Sequence, residues 1–249
     1  MSSERLAARF GVTRADCDEL AMLSHTRAAK AHAAGLYAEE ITPVNGGYVA
    51  ENGIKGDTTV EKMGKLKPAF VKPHGTHTAA NSSFLTDGAS AVLLMTEEKA
   101  LAMGFQPKAY LRSWNYKALD PFDELLLGPA FTIEEILRTN NLQLSDVGVI
   151  EIHEAFAGQV LANMNAMDCD KFAADRFPGG KKVGRFNMDI TNTMGGSLAI
   201  GHPFGATGGR IITTVANRLQ RENQRFGMLT ACADGGLASG ILLERYDNK

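Results

Sequence analysis

Two histidines and one cysteine lie in three separate stretches of the sequence that could together form a catalytic site. His153 belongs to EIHEAF, His202 to the glycine-rich stretch GGSLAIGHPFGATGGR (195–210), and Cys232 to TACADGG. An imidazole can take the proton of a thiol and so generate the thiolate, which is the reactive form of cysteine. Imidazole N–H groups and the backbone N–H groups of glycines can bind a developing oxyanion. The three stretches therefore indicate thiol chemistry assisted by histidine.

Each stretch taken alone also has an ordinary structural explanation. Cys232 alone is typical of a small buried hydrophobic residue, and His202 alone is equally typical of a hydrogen-bonded loop histidine. The glycine-rich stretch has neither the Gly-Lys-Ser/Thr of a phosphate loop nor G-x-G-x-x-G, and HEAF lacks the second histidine of H-E-x-x-H. We therefore expect no metal site, and a catalytic site only if the three stretches converge.

The composition predicts a globular protein without nucleic-acid or membrane partners. The 249 residues carry 26 Lys and Arg against 28 Asp and Glu, and this net charge of −2 gives no reason to expect nucleic acid. No apolar run approaches the ~18 residues of a membrane span. Three widely spaced cysteines predict free thiols. The N-terminal residues do not have the pattern of a signal or transit peptide. The sequence leaves the location open between a bacterial cytoplasm and a mitochondrion.

Helices and strands alternate from residue 76 onward, which predicts a layered α/β fold. Apolar runs predict strands at 89–95 and 108–114, and within VGVIEI, GMLTACA and SGILLERY. Helical periodicity predicts helices at 96–103 and in FTIEEILRTNN, AGQVLANMNAM and GGRIITTVANRLQRE. His153 and Cys232 lie at the ends of predicted strands, where open α/β sheets hold their ligands.

The first 75 residues have a different pattern. Residues 3–35 predict two helices, the first ending at Gly11 and the second running from an N-cap at Thr13 to Gly35. Residues 36–75 are rich in glycine and proline, and they predict an irregular lobe of loops with one short helix.

HEAF, GGSLAIGHPFGATG and the C-A-D-G-G turn, in this order, resemble the thiolase family. The upstream stretch NSSFLTDGASAVLLM (81–95) is similar to the thiolase segment N-A-S-x-x-x-D-G-A-A, and KLKPAF (65–70) also fits. The resemblance covers essentially the whole chain. The HEAF form, in place of N-E-A-F, is most similar to the thiolase (beta) subunits of fatty-acid oxidation trifunctional complexes.

The resemblance implies an acetyl-CoA C-acyltransferase that cleaves 3-ketoacyl-CoA with coenzyme A, which is a substrate and not a bound cofactor. It implies that His202 activates a nucleophilic cysteine and helps to bind the thioester oxygen. Cys232 would be the acid and base that moves the second proton. His153 would take the place of an asparagine that serves an oxyanion hole.

The resemblance also implies positions for coenzyme A binding. Ser83 matches the serine that contacts the pantetheine arm. Gly235 and Gly236 would allow the backbone to approach the substrate closely, and Lys55 is a weaker candidate for a phosphate contact.

The sequence departs from the family pattern at several positions. Asp234 occupies a small-residue position, Ala238 replaces a glycine, and a carboxylate at 234 would raise the pKa of Cys232 if its charge lay close. The family's nucleophile lies in a C-x-S-G-like turn, and the neighbours of Cys17 and Cys169 do not match it. We therefore expect an α/β thiolase-like layered fold without the N-terminal nucleophile half.

The expected organisation is a loop lobe at 1–75, the closing segment of the N-terminal domain at 76–106, and the C-terminal domain at 107–249.

One hypothesis is a thiolase polypeptide, present as a fragment or as half of a split enzyme. It would form a homo-oligomer or associate with the nucleophile-bearing half or a hydratase/dehydrogenase subunit. A second hypothesis is a non-catalytic acyl-CoA binding or regulatory subunit. A nucleotide-binding α/β protein is a remote third, because phosphate-loop motifs are absent.

Overall fold

The computed structural model describes residues 1–44 and 51–247. The chain begins with two helices, α1 (Ser2–Arg9) and α2 (Arg14–Ala33). The hydroxyl of Thr13 accepts a hydrogen bond from the Asp16 N–H at 3.2 Å, and the Asp16 carboxylate accepts from the Thr13 N–H at 2.8 Å. This reciprocal capping satisfies N–H groups that have no partner within the helix. The predicted cap at Thr13 is confirmed.

The region that follows α2 contains little regular structure. Residues 36–44 and 51–75 contain a 3₁₀ turn at Leu36–Glu39 and the short helix α3 (Val60–Gly64), connected by loops. Gly35, with φ at +70°, separates α2 from the 3₁₀ turn. The predicted pattern of loops with one short α-helix is therefore confirmed for the described residues.

A four-stranded mixed sheet occupies the second half of the chain. Its strands are β1 (Ala109–Ala118), β2 (Val149–Ile152), β3 (Phe226–Ala233) and β4 (Leu237–Arg245), in the order β1-β4-β3-β2. β2 and β3 run parallel, whereas β4 is antiparallel to both β3 and β1. The parallel pair places the ends of β2 and β3 at the same edge of the sheet.

Helices connect and cover the strands. After β1 come α5 (Gly128–Thr139), then α6 (Ala157–Met167), α7 (Asp170–Arg176), α8 (Ser197–Ile200) and α9 (Phe204–Arg221). Before β1, α4 covers Glu97–Ala102. The sequence predicted α4, α5, α6 and α9, but it did not predict the short helices α7 and α8.

Neighbouring residues of β3 point to opposite faces of the sheet and enter separate apolar clusters. Met228 packs into the largest core, together with residues of α5 and α6. Leu229 packs with Ile211 and Val215 of α9 on the opposite face. This alternation is the two-residue period of a strand, and it places a helical layer on each face of the sheet. The predicted layered α/β fold is therefore confirmed.

The N-terminal helices share the largest core with the C-terminal part of the chain. Leu6 of α1 and Leu20 of α2 belong to the same buried cluster as Ile152 and Met164. The predicted boundaries at 75 and 106 stay predictions, because packing alone does not divide the chain there. Within residues 1–44 and 51–247, no helix is both long enough and apolar enough to span a bilayer.

The predicted strand at 89–95 is wrong. Residues 87–96 are in no helix or strand, and the side chains of Leu93 and Leu94 are 70% and 65% exposed. The residues have strand-like apolar character, but a strand forms only when a neighbouring backbone accepts and donates its hydrogen bonds. Among the described residues, no other segment pairs with this one.

Candidate functional site

The structure brings two of the predicted catalytic residues into contact. His153 follows the end of β2, and His202 lies in the loop between α8 and α9. Their ring centroids are 4.1 Å apart, and the ring planes are tilted by 43°. Histidines 49 positions apart in the sequence therefore form one polar site, as the convergence of the motifs predicted.

The sheet positions the backbone of His153. Its N–H donates to the carbonyl oxygen of Thr230 at 2.9 Å, which extends the contact between β2 and β3 by one residue. The side chain is 1% exposed, and Nδ1 lies 3.0 Å from the hydroxyl oxygen of Ser197. Nε2 is buried and has no hydrogen-bond partner among the described residues. A buried polar atom of this kind is expected to serve a ligand or an ordered water.

The glycine before His202 allows the loop to approach a neighbouring segment closely. Gly201 has φ at +84°, and a Cβ atom there would overlap the hydroxyl of Thr86. That hydroxyl oxygen accepts a hydrogen bond from the His202 N–H at 3.1 Å. The His202 Nδ1 lies 2.7 Å from the hydroxyl of Thr207, in the first turn of α9. Hydrogen bonds therefore position both the backbone and the imidazole ring of His202.

Burial and positive charge keep both histidines neutral near pH 7. Burial lowers the pKa of His153 well below its usual value, and the charge of Arg210 and the charge that His202 carries when it is protonated lower it further. Burial and the charge of Arg210 also lower the pKa of His202. A neutral imidazole has one nitrogen that accepts a proton and one that donates a hydrogen bond. The pair can therefore supply both a base and an oxyanion donor.

The carboxylate of Glu154 holds the segment that leads into α8, the short helix that precedes His202. It accepts hydrogen bonds from the Ser24 hydroxyl and the Asn192 side-chain amide, both at 2.7 Å, and from the Leu198 N–H at 3.3 Å. A Cβ atom on Gly196 would lie 2.5 Å from this carboxylate. Burial raises the pKa of Glu154, whereas these hydrogen bonds lower it. Glu154 therefore links α2, the segment from Asn192 into the first turn of α8, and the end of β2.

Cys232 lies near the end of β3, two residues after the Thr230 carbonyl that binds the His153 backbone. Its side chain is buried, and burial raises the pKa of the thiol to about 12. The sequence predicted that Asp234 would raise this pKa if its charge lay close to the thiol. Asp234 is not a cause of the shift, and its carboxylate is exposed and accepts a hydrogen bond from the Gly235 N–H at 2.9 Å.

Gly235 and Gly236 form the turn between β3 and β4. Their φ angles are +83° and +78°, which is the region that favours glycine. The Leu119 N–H donates to the Gly236 carbonyl at 2.8 Å, and a Cβ atom on Gly236 would lie 2.5 Å from the Leu119 carbonyl oxygen. The close backbone approach at Gly236 is thus made to the chain itself. Gly235 has open space where its Cβ would lie.

Ser83 and Lys55, two of the four positions predicted for coenzyme A binding, lie in different surroundings. The Ser83 N–H donates to the Ala155 carbonyl at 2.9 Å, which places Ser83 beside the HEAF stretch. Lys55 is exposed, and its backbone N–H donates to Nδ1 of His25 in α2 at 3.2 Å. Ser83 is therefore linked directly to the segment that carries His153. No hydrogen bond joins Lys55 to either site histidine among the described residues.

Sequence reasoning missed two residues of the site, Ser197 and Arg210. The Arg210 Nη2 donates to the Ser197 hydroxyl at 3.3 Å, and that hydroxyl also lies beside His153. Both residues belong to the glycine-rich stretch that surrounds His202. Their position in a motif was visible in the sequence, but their contact with His153 depends on the fold.

The remaining cysteines lie apart from the hydrogen bonds of the histidine pair. Cys17 is buried in α2, where burial raises the pKa of its thiol to about 12, and Cys169 is half-buried before α7. Within the described residues, no cysteine sulfur is hydrogen bonded to either imidazole, and the Nδ1 atoms of both rings lie beside hydroxyl groups. In the same part of the chain, no cluster of three or more His, Cys, Asp and Glu side chains is arranged to hold a metal ion.

Two family models match the sequence. The model described as "Thiolase, C-terminal domain" matches residues 105–245, and the model described as "Thiolase, N-terminal domain" matches residues 1–98. The second match leaves the expectation of a missing N-terminal half unconfirmed.

Relatives with assigned names share much of this sequence. The chain is 53% identical to a "Probable 3-ketoacyl-CoA thiolase" of Caenorhabditis elegans, over 98% of this chain and 56% of that protein. It is 49% identical to the human "Trifunctional enzyme subunit beta, mitochondrial", over 98% of this chain and 52% of that protein. The chain therefore spans about half the length of the curated relatives it matches.

Solved structures show the same fold. The structure of human mitochondrial 3-ketoacyl-CoA thiolase in complex with CoA superposes with a TM-score of 0.86 at 28% identity, covering 99% of this chain and 58% of that one. A Bacillus anthracis acetyl-CoA acetyltransferase gives a TM-score of 0.87 at 31% identity, covering 98% and 59%. Together with the family models, these similarities establish that the chain belongs to the thiolase family.

Proposed function

We propose that this chain carries the acid–base and oxyanion-binding part of a 3-ketoacyl-CoA thiolase of fatty-acid β-oxidation. The reaction converts a 3-ketoacyl-CoA and coenzyme A into acetyl-CoA and a shortened acyl-CoA. The observation that carries the proposal is the contact of His153 with His202, in which a buried imidazole nitrogen has no partner among the described residues. The family membership and the names of the relatives support it.

In the first half-reaction, His202 takes the proton of a nucleophilic cysteine. The thiolate sulfur attacks the 3-keto carbon, and the oxygen becomes an oxyanion that imidazole N–H groups stabilise. The bond between C2 and C3 then breaks, the acyl group stays on the cysteine, and the electron pair forms the enolate of acetyl-CoA. Cys232 donates its proton to the enolate carbon.

The high pKa of Cys232 suits this proton transfer. A thiol with a pKa of about 12 remains protonated until a stronger base, such as an enolate carbon, forms beside it. In the second half-reaction, the Cys232 thiolate takes the proton of the coenzyme A thiol. The coenzyme A sulfur attacks the acyl-enzyme, and the nucleophilic cysteine leaves as a thiolate.

Coenzyme A would bind beside the HEAF stretch as the second substrate. We assign Ser83 to the pantetheine arm, because its backbone is hydrogen bonded to Ala155. Gly235 offers open space for close approach of the substrate, whereas the close approach at Gly236 is made to Leu119 of the same chain. Lys55 is exposed and positively charged, which fits a phosphate contact.

The nucleophilic cysteine is proposed to come from polypeptide outside residues 1–249. Cys17 and Cys169 have no hydrogen bond to the histidine pair, and Cys232 has the acid–base role. Residues 87–96, which pair with no strand among the described residues, carry exposed apolar side chains. These favour contact with a further polypeptide, because large exposed apolar patches usually mark interfaces. The nucleophile-bearing half of a thiolase is the occupant that the reaction requires. A second copy of the chain and a hydratase/dehydrogenase subunit are the other partners that we propose for the assembled enzyme.

The location proposed for the assembled enzyme is a mitochondrion or a bacterial cytoplasm. The human relative is named as a mitochondrial protein, and a bacterial relative from Yersinia enterocolitica is named as a 3-ketoacyl-CoA thiolase.

A second function, acyl-CoA binding without catalysis, is favoured by one observation. No cysteine among the described residues is hydrogen bonded to the histidine pair. Both functions require the protein to bind coenzyme A. Titration calorimetry of the 249-residue chain with coenzyme A tests this shared requirement. Absence of binding by folded protein would contradict both, whereas binding without thiolysis by a folded, assembled protein would favour the second.

A further inference from the structure

We propose that Ser197 is a positioning residue that holds His153 in the tautomer protonated at Nε2, and that Arg210 sets the direction of the Ser197 hydroxyl. The catalytic meaning of this inference rests on the proposed thiolase function. The geometry that carries it does not depend on that function.

Three side chains form a continuous row of hydrogen bonds. The Arg210 Nη2 lies 3.3 Å from the Ser197 hydroxyl oxygen, and this oxygen lies 3.0 Å from the His153 Nδ1. Ser197 is fully buried and His153 is 1% exposed. A guanidinium has donors and no acceptor. In the first of these hydrogen bonds, Ser197 must therefore be the acceptor.

The single proton of the Ser197 hydroxyl then has one acceptor among the described residues, the His153 Nδ1. If Nδ1 carried a hydrogen instead, the Ser197 oxygen would accept two hydrogen bonds and its own proton would be left without a partner. Buried donors without partners are rare in folded proteins. With Ser197 donating to Nδ1, the only group of this row left without a partner among the described residues is the Nε2–H of His153, whereas the other arrangement leaves both the Ser197 proton and Nε2 without one. The arrangement with more groups paired therefore places the His153 proton on Nε2.

The surroundings of His153 keep its ring neutral, so only one of the two ring nitrogens carries a proton. Burial is the main cause that lowers the pKa of His153, and His202 and Arg210 lower it further because both add positive charge when protonated. The ring is therefore neutral, and one nitrogen carries the proton. The nitrogen that we assign is Nε2, the buried atom without a partner. His153 would thus present an N–H donor before any proton is transferred.

His202 has a different arrangement of partners. Its Nδ1 lies 2.7 Å from the Thr207 hydroxyl oxygen, and this oxygen lies 3.4 Å from the Pro203 carbonyl. A threonine in a helix commonly donates to the carbonyl four residues before it. Thr207 then accepts from an N–H at the His202 Nδ1, which leaves Nε2 of His202 unprotonated.

Two hydroxyl groups would therefore set opposite tautomers in two rings in contact. Ser197 makes His153 a donor at Nε2, and Thr207 makes His202 an acceptor at Nε2. In the proposed reaction, His202 takes the thiol proton while His153 binds the carbonyl oxygen from the start. If both rings had the same tautomer, they would not be divided into one proton acceptor and one hydrogen-bond donor.

The test is measurement of imidazole ¹⁵N chemical shifts in the 249-residue chain at neutral pH. Protonated and unprotonated ring nitrogens have well-separated shifts, and the His153→Asn and His202→Asn spectra identify the two rings. The expected result is a protonated Nε2 and an unprotonated Nδ1 in His153, with the opposite pattern in His202. A His153 protonated at Nδ1 would overturn the proposal without any further variant.

Two substitutions that each remove one hydroxyl provide reciprocal controls. Ser197→Ala should shift His153 toward a mixture of both tautomers and leave His202 as it was. Thr207→Ala should change His202 and leave His153 protonated at Nε2. An unchanged His153 in folded Ser197→Ala would refute the role of Ser197.

A second pair of variants covers the case in which Ser197→Ala does not fold. Arg210→Met removes the donor to Ser197 and should give a mixture of tautomers in His153, whereas Arg210→Lys keeps a donor and should restore the protonated Nε2. A single tautomer in Arg210→Met would refute the role of Arg210. None of these readings requires turnover, so the tautomer inference and the proposed function can fail separately.

Discussion

The methyl group of Ala238 occupies the space into which a Cβ atom on Gly128 would project. Gly128 is the first residue of α5, and Ala238 pairs with Cys232 across β3 and β4. The alanine at 238, which departs from the family pattern, is therefore accommodated by a glycine on the facing helix. The strand pair that holds Cys232 keeps its register.

The substitution Gly128→Ala should destabilise the fold by about 1–3 kcal/mol, because two methyl groups would compete for one space. Adding Ala238→Gly to the same chain should recover more than half of that loss. Urea unfolding of the two single variants and the double variant measures the coupling. Strictly additive free energies of unfolding would show that these residues do not share the space.

The substitution Glu154→Gln should destabilise the protein by about 2–3 kcal/mol, because the new amide group would face N–H and O–H donors. It should also loosen the segment that leads into α8, the short helix that precedes His202. Glu19→Gln is the matched control, since Glu19 is exposed on α2 and should change stability by less than about 0.5 kcal/mol. Equal stabilities of the two variants would contradict the assigned role of Glu154.

His153 should give the protein a specific pH dependence of stability. Burial lowers its folded-state pKa well below the usual 6.5, so the unfolded chain takes up a proton that the folded chain does not. The contribution of His153 to stability is complete above pH 6.5, the ordinary pKa of histidine, and it declines as the pH falls below 6.5. The decline reaches at most about 1.4 kcal/mol per pH unit.

His153→Asn isolates this effect from those of other buried groups. The free energy of unfolding of the wild type minus that of the variant should decrease as the pH falls from about 7.5 to about 5.5. Glu154, whose pKa is raised by burial, is present in both proteins, and its contribution largely cancels. Identical pH profiles for the two proteins would show that His153 is not held neutral by its surroundings.

The unpaired segment at 87–96 should promote self-association of the isolated chain. Leu93 and Leu94 are largely exposed, and exposed apolar patches favour association. The double substitution of both leucines by lysine should shift size-exclusion elution toward the monomer, whereas Leu66→Lys, at an exposed leucine beside α3, should not. A wild-type chain that remains monomeric at high concentration would contradict this.

Local patterns in the sequence were sufficient to predict several elements. Thr13 and Gly35 mark the ends of α2 because capping chemistry depends on a few neighbouring residues. The HEAF stretch was expected at the end of a strand, and His153 does follow β2. The meeting of His153 with His202 was predicted because three motifs in order indicate one site.

Other features depend on contacts that no local pattern contains. The carboxylate of Glu154 binds the Ser24 hydroxyl across 130 positions of sequence, and this partner could not be identified from composition or period. The contacts of Ser197 with His153 and Arg210 have the same character. The segment at 89–95 failed as a strand for the converse reason, since its pattern is correct but its pairing partner is not among the described residues.

Thiolysis by the assembled protein tests the central claim most directly. The chain would be co-expressed with the part of the Caenorhabditis elegans relative that lies outside the matched region, and cleavage of short- and long-chain 3-ketoacyl-CoA would be measured. The account predicts activity in a folded complex, with kcat lowered by at least about 100-fold in His202→Asn and in Cys232→Ser while coenzyme A still binds. Full activity in His202→Asn, or no thiolysis by a folded complex that binds coenzyme A, would contradict it.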